Sequence, residues 1–222
     1  MDIWKVMRER HSVRRYKDHP IEKDKVAVLQ GTVEQFNREA GLHIQLLTEE
    51  PEAFSPNLFH YGAIKGCRNY IAMAAPKAAE EAVGYWGEKL VLLAQDLGLN
   101  TCWVALSYRK GKAKVSLEPG EKLHVIIALG YGENEGVPHR SKSMDKLAEL
   151  RPDSPEWFRL GVEAASLAPT AINQQQFYFA MPAEGIVSAK AGPGPCSHID
   201  LGIVKCHFEL AAGKENFDWL QL

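Results

Sequence analysis

The sequence predicts an α+β fold in two portions, and three observations carry that reading. Apolar stripes at helical spacing, such as Val26, Leu29, Val33 and Phe36, interleave with short apolar runs of strand length. One of these runs, Leu123-His124-Val125-Ile126-Ile127-Ala128-Leu129, is nearly continuous, as expected at the centre of a sheet. Finally, Arg151-Pro152-Asp153-Ser154-Pro155 sets two prolines within five residues and breaks any regular element there. It divides a larger portion, residues 1–150, from a smaller one, residues 151–222.

Taken in order, residues 2–9 read as a short helix. Residues 22–40 form the next helix, and Gly41 supplies its stop. Residues 42–47 read as a strand, and 48–57, with Pro51 and Pro56, as a loop. Residues 58–65 are ambiguous. A second strand centres on Tyr70-Ile71-Ala72-Met73. The longest helix is expected over 76–97, with Pro76 in its first turn and a stripe of Val83, Trp86, Leu90, Leu93 and Leu97. Gly84 and Gly87 lie inside it, each costing about 1 kcal/mol relative to alanine. Close packing against another backbone would explain them. Residues 100–106 read as a buried strand or strand-like turn, 111–120 as a basic loop, and 123–129 as the strand noted above.

Gly130-Tyr131-Gly132-Glu133-Asn134-Glu135-Gly136 lacks the spacing and the following helix of a dinucleotide fingerprint, so it reads as a strand-to-loop turn. Residues 143–150 suggest a short helix capped by Ser143. The second portion then offers a helix over 156–167, an aromatic strand from Phe177, a short strand over 186–189 and a Gly-Pro turn at 192–195. It ends in a helix over 200–212 and an apolar tail expected to dock.

Bulk properties narrow the functional classes. The chain has 222 residues, 45% hydrophobic and 24% charged, as in ordinary globular proteins. A net charge of −2 leaves no electrostatic footprint for nucleic acid. No apolar run approaches membrane-spanning length, and the N-terminus lacks a signal-peptide core. The four cysteines are widely spaced, without Cys-x-x-Cys, which argues against a zinc ribbon and leaves no metal site expected. Free thiols without a secretory signal point to the cytoplasm.

Arg10-His11-Ser12-Val13-Arg14-Arg15-Tyr16 gathers three cations, a histidine and a hydroxyl in seven residues. By itself it fits a solvated basic turn or an anion pocket equally in kind. Arg140-Ser141-Lys142 is a second basic cluster with the same two readings.

Several segments together resemble the nitroreductase family of FMN-dependent oxidoreductases. Arg10-His11-Ser12-x-Arg14-x-Tyr16 is similar to its N-terminal pattern Arg-[Arg/His]-Ser-x-Arg-x-[Phe/Tyr]. Leu97-Gly98-Leu99-Asn100-Thr101-Cys102-Trp103 resembles its Leu-Gly-Leu-Gly-Thr-Cys-Trp segment. Leu129-Gly130-Tyr131 resembles the strand end before its C-terminal basic pair, and Arg140-x-Lys142 resembles that pair. Ala164-Ala165-Ser166-x-Ala168-Pro169-Thr170-x-x-Asn173-x-Gln175 resembles Ala-Ala-x-x-Ala-Pro-Ser-x-x-Asn-x-Gln. The resemblance implies a nitroreductase-like α+β fold, with a central, mixed, mainly antiparallel sheet flanked by helices.

The order of these segments departs from the ordinary family. There the Ala-Pro-Ser segment follows soon after the first motif and serves the FMN pocket of the partner in an intertwined homodimer. Here residues 32–47 lack it, and it occurs in the second portion. This resembles the TM nitroreductase group, in which two similar portions of one chain act as a pseudo-dimer. The implied assembly is a monomer, or a weak homodimer, with one FMN per chain.

By resemblance, Arg10, His11 and Ser12 hold the FMN phosphate, with Arg140 and Lys142 adding charge. Arg14 reaches the ribityl chain or the polar edge of the ring. Pro169, Thr170, Ala171 and Asn173 line the ring, and the backbone of Ala105 or Leu106 approaches the reactive nitrogen. The implied activity takes hydride from NADH or NADPH as a transient donor and passes it to a small-molecule acceptor such as a nitroaromatic or a quinone. No catalytic acid or base is required. The alternative is a degenerate flavin-binding protein of the same fold without turnover.

Overall fold

The computed structural model describes residues 2–55 and 63–220. The chain forms two compact units: Glu9–Ala79 with Lys89–Pro138, called here the sheet unit, and Met1–Arg8, Glu80–Glu88 and His139–Leu222, called the C-terminal unit. The 150/151 boundary expected from the prolines therefore falls inside the C-terminal unit.

In the sheet unit, α2 (Lys23–Ala40) buries Leu29 and Val33 of its predicted stripe. It ends at Gly41, whose left-handed backbone (φ 62°) returns its N–H to the Asn37 carbonyl. β1 (His43–Leu47), β2 (Asn69–Pro76), β3 (Asn100–Val104) and β4 (Glu121–Gly130) form a four-stranded antiparallel sheet in the order β1-β2-β4-β3. In register, Cys102 faces Ala128, which faces Tyr70, while Val104 faces Ile126, which faces Ala72. These alternate positions share one face, and all six belong to a buried cluster with Val13, Tyr16, Phe54 and Tyr108. β4 is buried from Val125 to Gly130, as its continuous apolar run predicts.

One expectation here is corrected. Pro76 does not open the long helix; it closes β2 opposite Glu121. A residue without an N–H is tolerated at a strand end, where the ladder stops. The loop over 48–57 contains one 3-10 turn, Pro51–Phe54, which buries Ala53 and Phe54. Its end at Pro56 and Asn57, and most of the ambiguous 58–65 stretch, lie outside the described residues.

α3 (Glu80–Asp96) contributes Glu80–Glu88 to the C-terminal unit and its remainder to the sheet unit. It is buried well beyond its predicted stripe, with Val91, Leu92 and Ala94 enclosed along with Val83 and Leu90.

The C-terminal unit contains α1 (Ile3–Glu9) up to Arg8, α4 (Glu156–Ser166) and α5 (Ser197–Ala212), and the strands β5 (Phe177–Ala183), β6 (Ile186–Ala191) and β7 (Asp218–Trp219). β5 and β6 pair antiparallel, and β7 adds parallel to β6. The tail thus docks as expected, with Phe217 stacked 5.6 Å from Trp157 and edge-on 5.2 Å from Phe208. Phe158, Phe179 and Phe208 are fully buried beside it, and each such ring contributes about 1.5–3 kcal/mol by leaving water.

α3 and α5 meet through glycine. A β-carbon on Gly84 would lie 1.9 Å from the Ile199 carbonyl oxygen, and one on Gly202 would lie 1.9 Å from that of Glu81. The close backbone contact inferred for Gly84 is therefore present.

The helix expected over 143–150 is only a single 3-10 turn, Met144–Lys146, without a side-chain cap from Ser143. The backbone beyond it is drawn into strand-like pairing: Phe179 N–H donates to Leu147 at 2.9 Å, and Glu149 N–H to Phe179 at 2.8 Å. α5 begins at Ser197, three residues before the expected start.

Candidate functional site

The N-terminal motif runs along the start of β3. Val13 N–H donates to the Thr101 carbonyl at 3.0 Å, pairing Ser12 with Thr101 in parallel fashion. Arg15 and Tyr16 make further bridges to Lys65 and Gly132. This anchoring separates the motif's side chains: Arg10 is 3% exposed, Val13 and Tyr16 are buried, and Arg14 and Arg15 are exposed. A guanidinium keeps its charge at any accessible pH, so the enclosed Arg10 fixes a positive charge inside the sheet unit.

The loop after β4 closes over the motif. The Asn100 carboxamide accepts from Gly132 N–H at 2.8 Å and donates to Glu135 at 3.0 Å. His11 Nδ1 lies 3.1 Å from the Glu135 carbonyl oxygen, which makes Nδ1 the protonated nitrogen. Gly136 has φ +74°, and a β-carbon there would lie 2.7 Å from that of His11. The strand-to-loop reading of this glycine-rich stretch holds, and the stretch braces the motif. Arg15 turns outward to pair with Glu133 at 2.7 Å.

Three of the motif's polar groups act on the buried Cys102 of β3. Burial raises that thiol first, while the Arg14 and Arg10 charges and the Ser12 hydroxyl act in the opposite direction. Guanidinium groups and a hydroxyl that act on one thiol are donor types suited to a phosphate group. Ala105 and Leu106 follow β3 directly, and Leu106 presents an apolar side chain that is 71% exposed.

In the C-terminal unit the predicted residues 140, 142 and 169–173 come together around a strained turn. Ile172 (φ 48°), Asn173 (φ 56°) and Gln175 (φ 46°) all occupy the left-handed region, which non-glycine residues adopt at a cost. Polar contacts with the 140–142 segment hold them. Asn173 Nδ2 and Gln175 Nε2 both donate to the Arg140 carbonyl, at 3.0 and 2.8 Å. Lys142 N–H donates to Gln175 Oε1 at 2.7 Å, and its ammonium to the Gln174 and Gln175 carbonyls at 2.8 and 3.0 Å. Inside the turn, Thr170 Oγ1 accepts Gln175 N–H at 3.0 Å. From the opposite side, Asp200 of α5 accepts Ala171 N–H on both oxygens, at 3.0 and 3.1 Å, and the Gln174 side chain at 2.7 Å.

This geometry gives Lys142 a role that sequence spacing does not reveal, because its ammonium is engaged by backbone carbonyls. Gln174, Gln175 and Asp200 were not among the predicted site residues. Gln175 was at least part of the matched segment, whereas an aspartate near the start of a helix ordinarily reads as a solvated first-turn residue. Among the described residues no group of three His, Cys, Asp or Glu side chains could hold a metal, and no helix is long and apolar enough to cross a membrane.

Comparison with known proteins adds the following. Residues 2–212 match the family described as "Putative TM nitroreductase". A crystal structure of a "putative nitroreductase" from Thermotoga maritima MSB8 covers 100% of this chain and 89% of its own, at 22% identity and a TM-score of 0.72. A "putative nitroreductase in complex with FMN" from Desulfovibrio desulfuricans covers 68% of this chain and 98% of its own, at 18% identity and a TM-score of 0.51. A "Putative NADH dehydrogenase/NAD(P)H nitroreductase" from Bacteroides thetaiotaomicron covers 66% and 96%, at 17% identity and a TM-score of 0.52. No curated protein matches the chain. At these identities the solved structures establish the nitroreductase fold.

Proposed function

This chain belongs to the TM nitroreductase family, and on that premise we propose that it is an FMN-dependent oxidoreductase. It takes reducing equivalents from NADH or NADPH and delivers them to a small acceptor such as a nitroaromatic or a quinone. The observation that supports this reading best is the enclosed cation of Arg10 two residues before Ser12, which is paired with Thr101 at the start of β3, with Arg10, Ser12 and Arg14 all acting on the Cys102 thiol. A phosphate monoester carries nearly two negative charges and needs several fixed donors to replace its water.

Under this reading Arg10 and Ser12 bind the phosphate, with His11 held in place through its contact to the Glu135 carbonyl. The exposed Arg14 serves the ribityl chain or the polar edge of the ring. Arg140 adds charge from an exposed position, while Lys142 acts through the turn that its ammonium holds. Pro169, Thr170, Ala171 and Asn173 line the ring; that they serve the same flavin is carried by the motif match alone. When bound, FMN supplies reversible hydride acceptance and release, and the protein supplies position and electrostatics. Leu106, following Ala105 at the end of β3, narrows the space left for the acceptor.

The test is an absorbance titration of the purified chain with FMN, followed by anaerobic addition of NADH or NADPH. One FMN per monomer, bleached by a nicotinamide and reoxidised by a nitroaromatic or quinone, is the expected result. A yellow protein that neither nicotinamide bleaches would instead mark a flavin-binding protein without this turnover. Failure to take up FMN would defeat both readings.

A further inference from the structure

The 170–175 turn stores conformational cost, and one buried carboxylate receives it from the α5 side. Asp200 is 3% exposed. Its partners are the Ala171 N–H and the Gln174 carboxamide, and that same carboxamide also donates to the Pro195 carbonyl at 2.8 Å. A carboxylate bound only by neutral donors loses its water without gaining a counter-charge, so its geometry is tied closely to those donors.

We propose that Asp200 is the positioning residue of this site: it sets the 170–175 turn and thereby the presentation of Thr170, Ala171 and Asn173 to the flavin. The inference rests on the flavin reading given above. Asp200 bonds the Ala171 backbone N–H and the Gln174 side chain, so it acts on the flavin through the turn. Without its two oxygens, the turn loses its contacts from the α5 side and keeps those of Asn173 to Arg140, Thr170 and Gln175 and those of Lys142 to Gln174 and Gln175.

The position also has a pH signature. Burial pushes the Asp200 carboxyl up to about 6, while the Gln174 and Ala171 donors act in the opposite direction. Across the turn, the Lys142 ammonium is directed to the Gln174 and Gln175 carbonyls, and the exposed His198 precedes Asp200 by two residues on α5. Opening the turn would return Asp200 to water and to the ordinary aspartate range near 4. Closure is therefore favoured by a proton: the turn is held most firmly below that range's upper end and loosens as pH rises through about 6.

Asp200→Asn and Asp200→Ala are compared with the parent chain in two ways: FMN titration from pH 5 to 8, and amide hydrogen exchange of residues 168–176 in FMN-free protein. Asp200→Ala should weaken FMN about tenfold, the scale of one charge-assisted hydrogen bond, and speed exchange in the turn while the α4 amides stay protected. Asp200→Asn keeps an acceptor for Ala171 N–H without a charge. It should restore most of the affinity and remove the component of the parent profile that tightens on acidification. Changes common to all variants, including titration of the FMN phosphate, cancel in this comparison. If Asp200→Ala matches the parent in both measurements, or if Asp200→Asn keeps the parent pH profile, the proposal is wrong. If the parent chain takes up no FMN at any pH, the flavin reading fails. The exchange data then decide whether Asp200 sets the turn.

Discussion

His207 Nε2 lies 2.9 Å from Glu88 Oε1, and neither side chain has any exposure. His207 Nδ1 faces the Ala164 carbonyl at 3.0 Å, so Nδ1 donates there and Nε2 is left to face the Glu88 carboxyl. One imidazole thereby joins α3, α4 and α5. Glu88→Ala or His207→Ala leaves a buried polar group without its main partner, and should cost about 3–5 kcal/mol in urea unfolding. The pair Glu88→Leu with His207→Leu should recover much of that loss. A single substitution that shifted stability by less than about 1 kcal/mol would show the pair to be dispensable.

The glycine contact between α3 and α5 makes a second prediction. Helix propensity alone says that Gly84→Ala and Gly202→Ala stabilise by about 1 kcal/mol. The structure reverses the sign, because each new methyl group would meet a carbonyl oxygen at 1.9 Å. Both variants should melt lower, with overpacking losses of about 1–3 kcal/mol. Gly31, which has nothing within 4 Å of its β-carbon position, is the control, and Gly31→Ala should melt at or above the parent temperature.

FMN retention should depend on the motif in a graded way. Arg10→Ala combined with Ser12→Ala should abolish it, measured as yellow colour surviving gel filtration. Arg10→Lys should rescue poorly, since an ammonium cannot reproduce a bidentate fork. Gly136→Ala should weaken binding although Gly136 is not itself a predicted ligand, because the new methyl group would approach His11 at 2.7 Å. Full FMN retention in the Arg10/Ser12 double variant would remove the phosphate assignment.

Alkaline stability follows from buried acids with raised pKa values. Burial pushes the Cys67 thiol and the Tyr108 hydroxyl up to about 12, and raises Tyr16 and Tyr70 as well. In each case the folded chain holds a proton that the unfolded chain has released. The stability contribution is present below the ordinary values, 9.0 for the thiol and 10.0 for the phenols, and is lost as pH climbs toward 12. The melting temperature should therefore fall steadily above pH 9. These tyrosines should ionise, read at 295 nm, only as the chain unfolds. A reversible titration of every tyrosine near pH 10 in folded protein would contradict this.

Much of the fold was legible because its signals are local. The helix over 23–40, the continuous strand over 123–129 and the aromatic tail each follow from periodicity or composition. Where the reading failed, a distant partner decided. Pro76 suits a helix start by itself but pairs with Glu121 in the sheet. Residues 147–149 suit a helix by propensity but find Phe179. Motif spacing singled out residues 140, 142 and 169–173, which the structure brings together, whereas the engagement of the Lys142 ammonium and the bonding of Asp200 to the turn were not legible. Both depend on contacts spanning 26 to 33 positions in the chain.

The braced 170–175 turn has a consequence for anyone randomising positions within it. Arg140 and Lys142 contribute backbone and ammonium groups to this turn, and Gln175 returns both contacts. Libraries that vary Thr170, Ala171 or Asn173 singly will sample a fixed scaffold that rejects most replacements. Residue 172 is the productive partner for co-variation, because glycine there removes a backbone penalty without touching the Gln175 side chain that braces the turn.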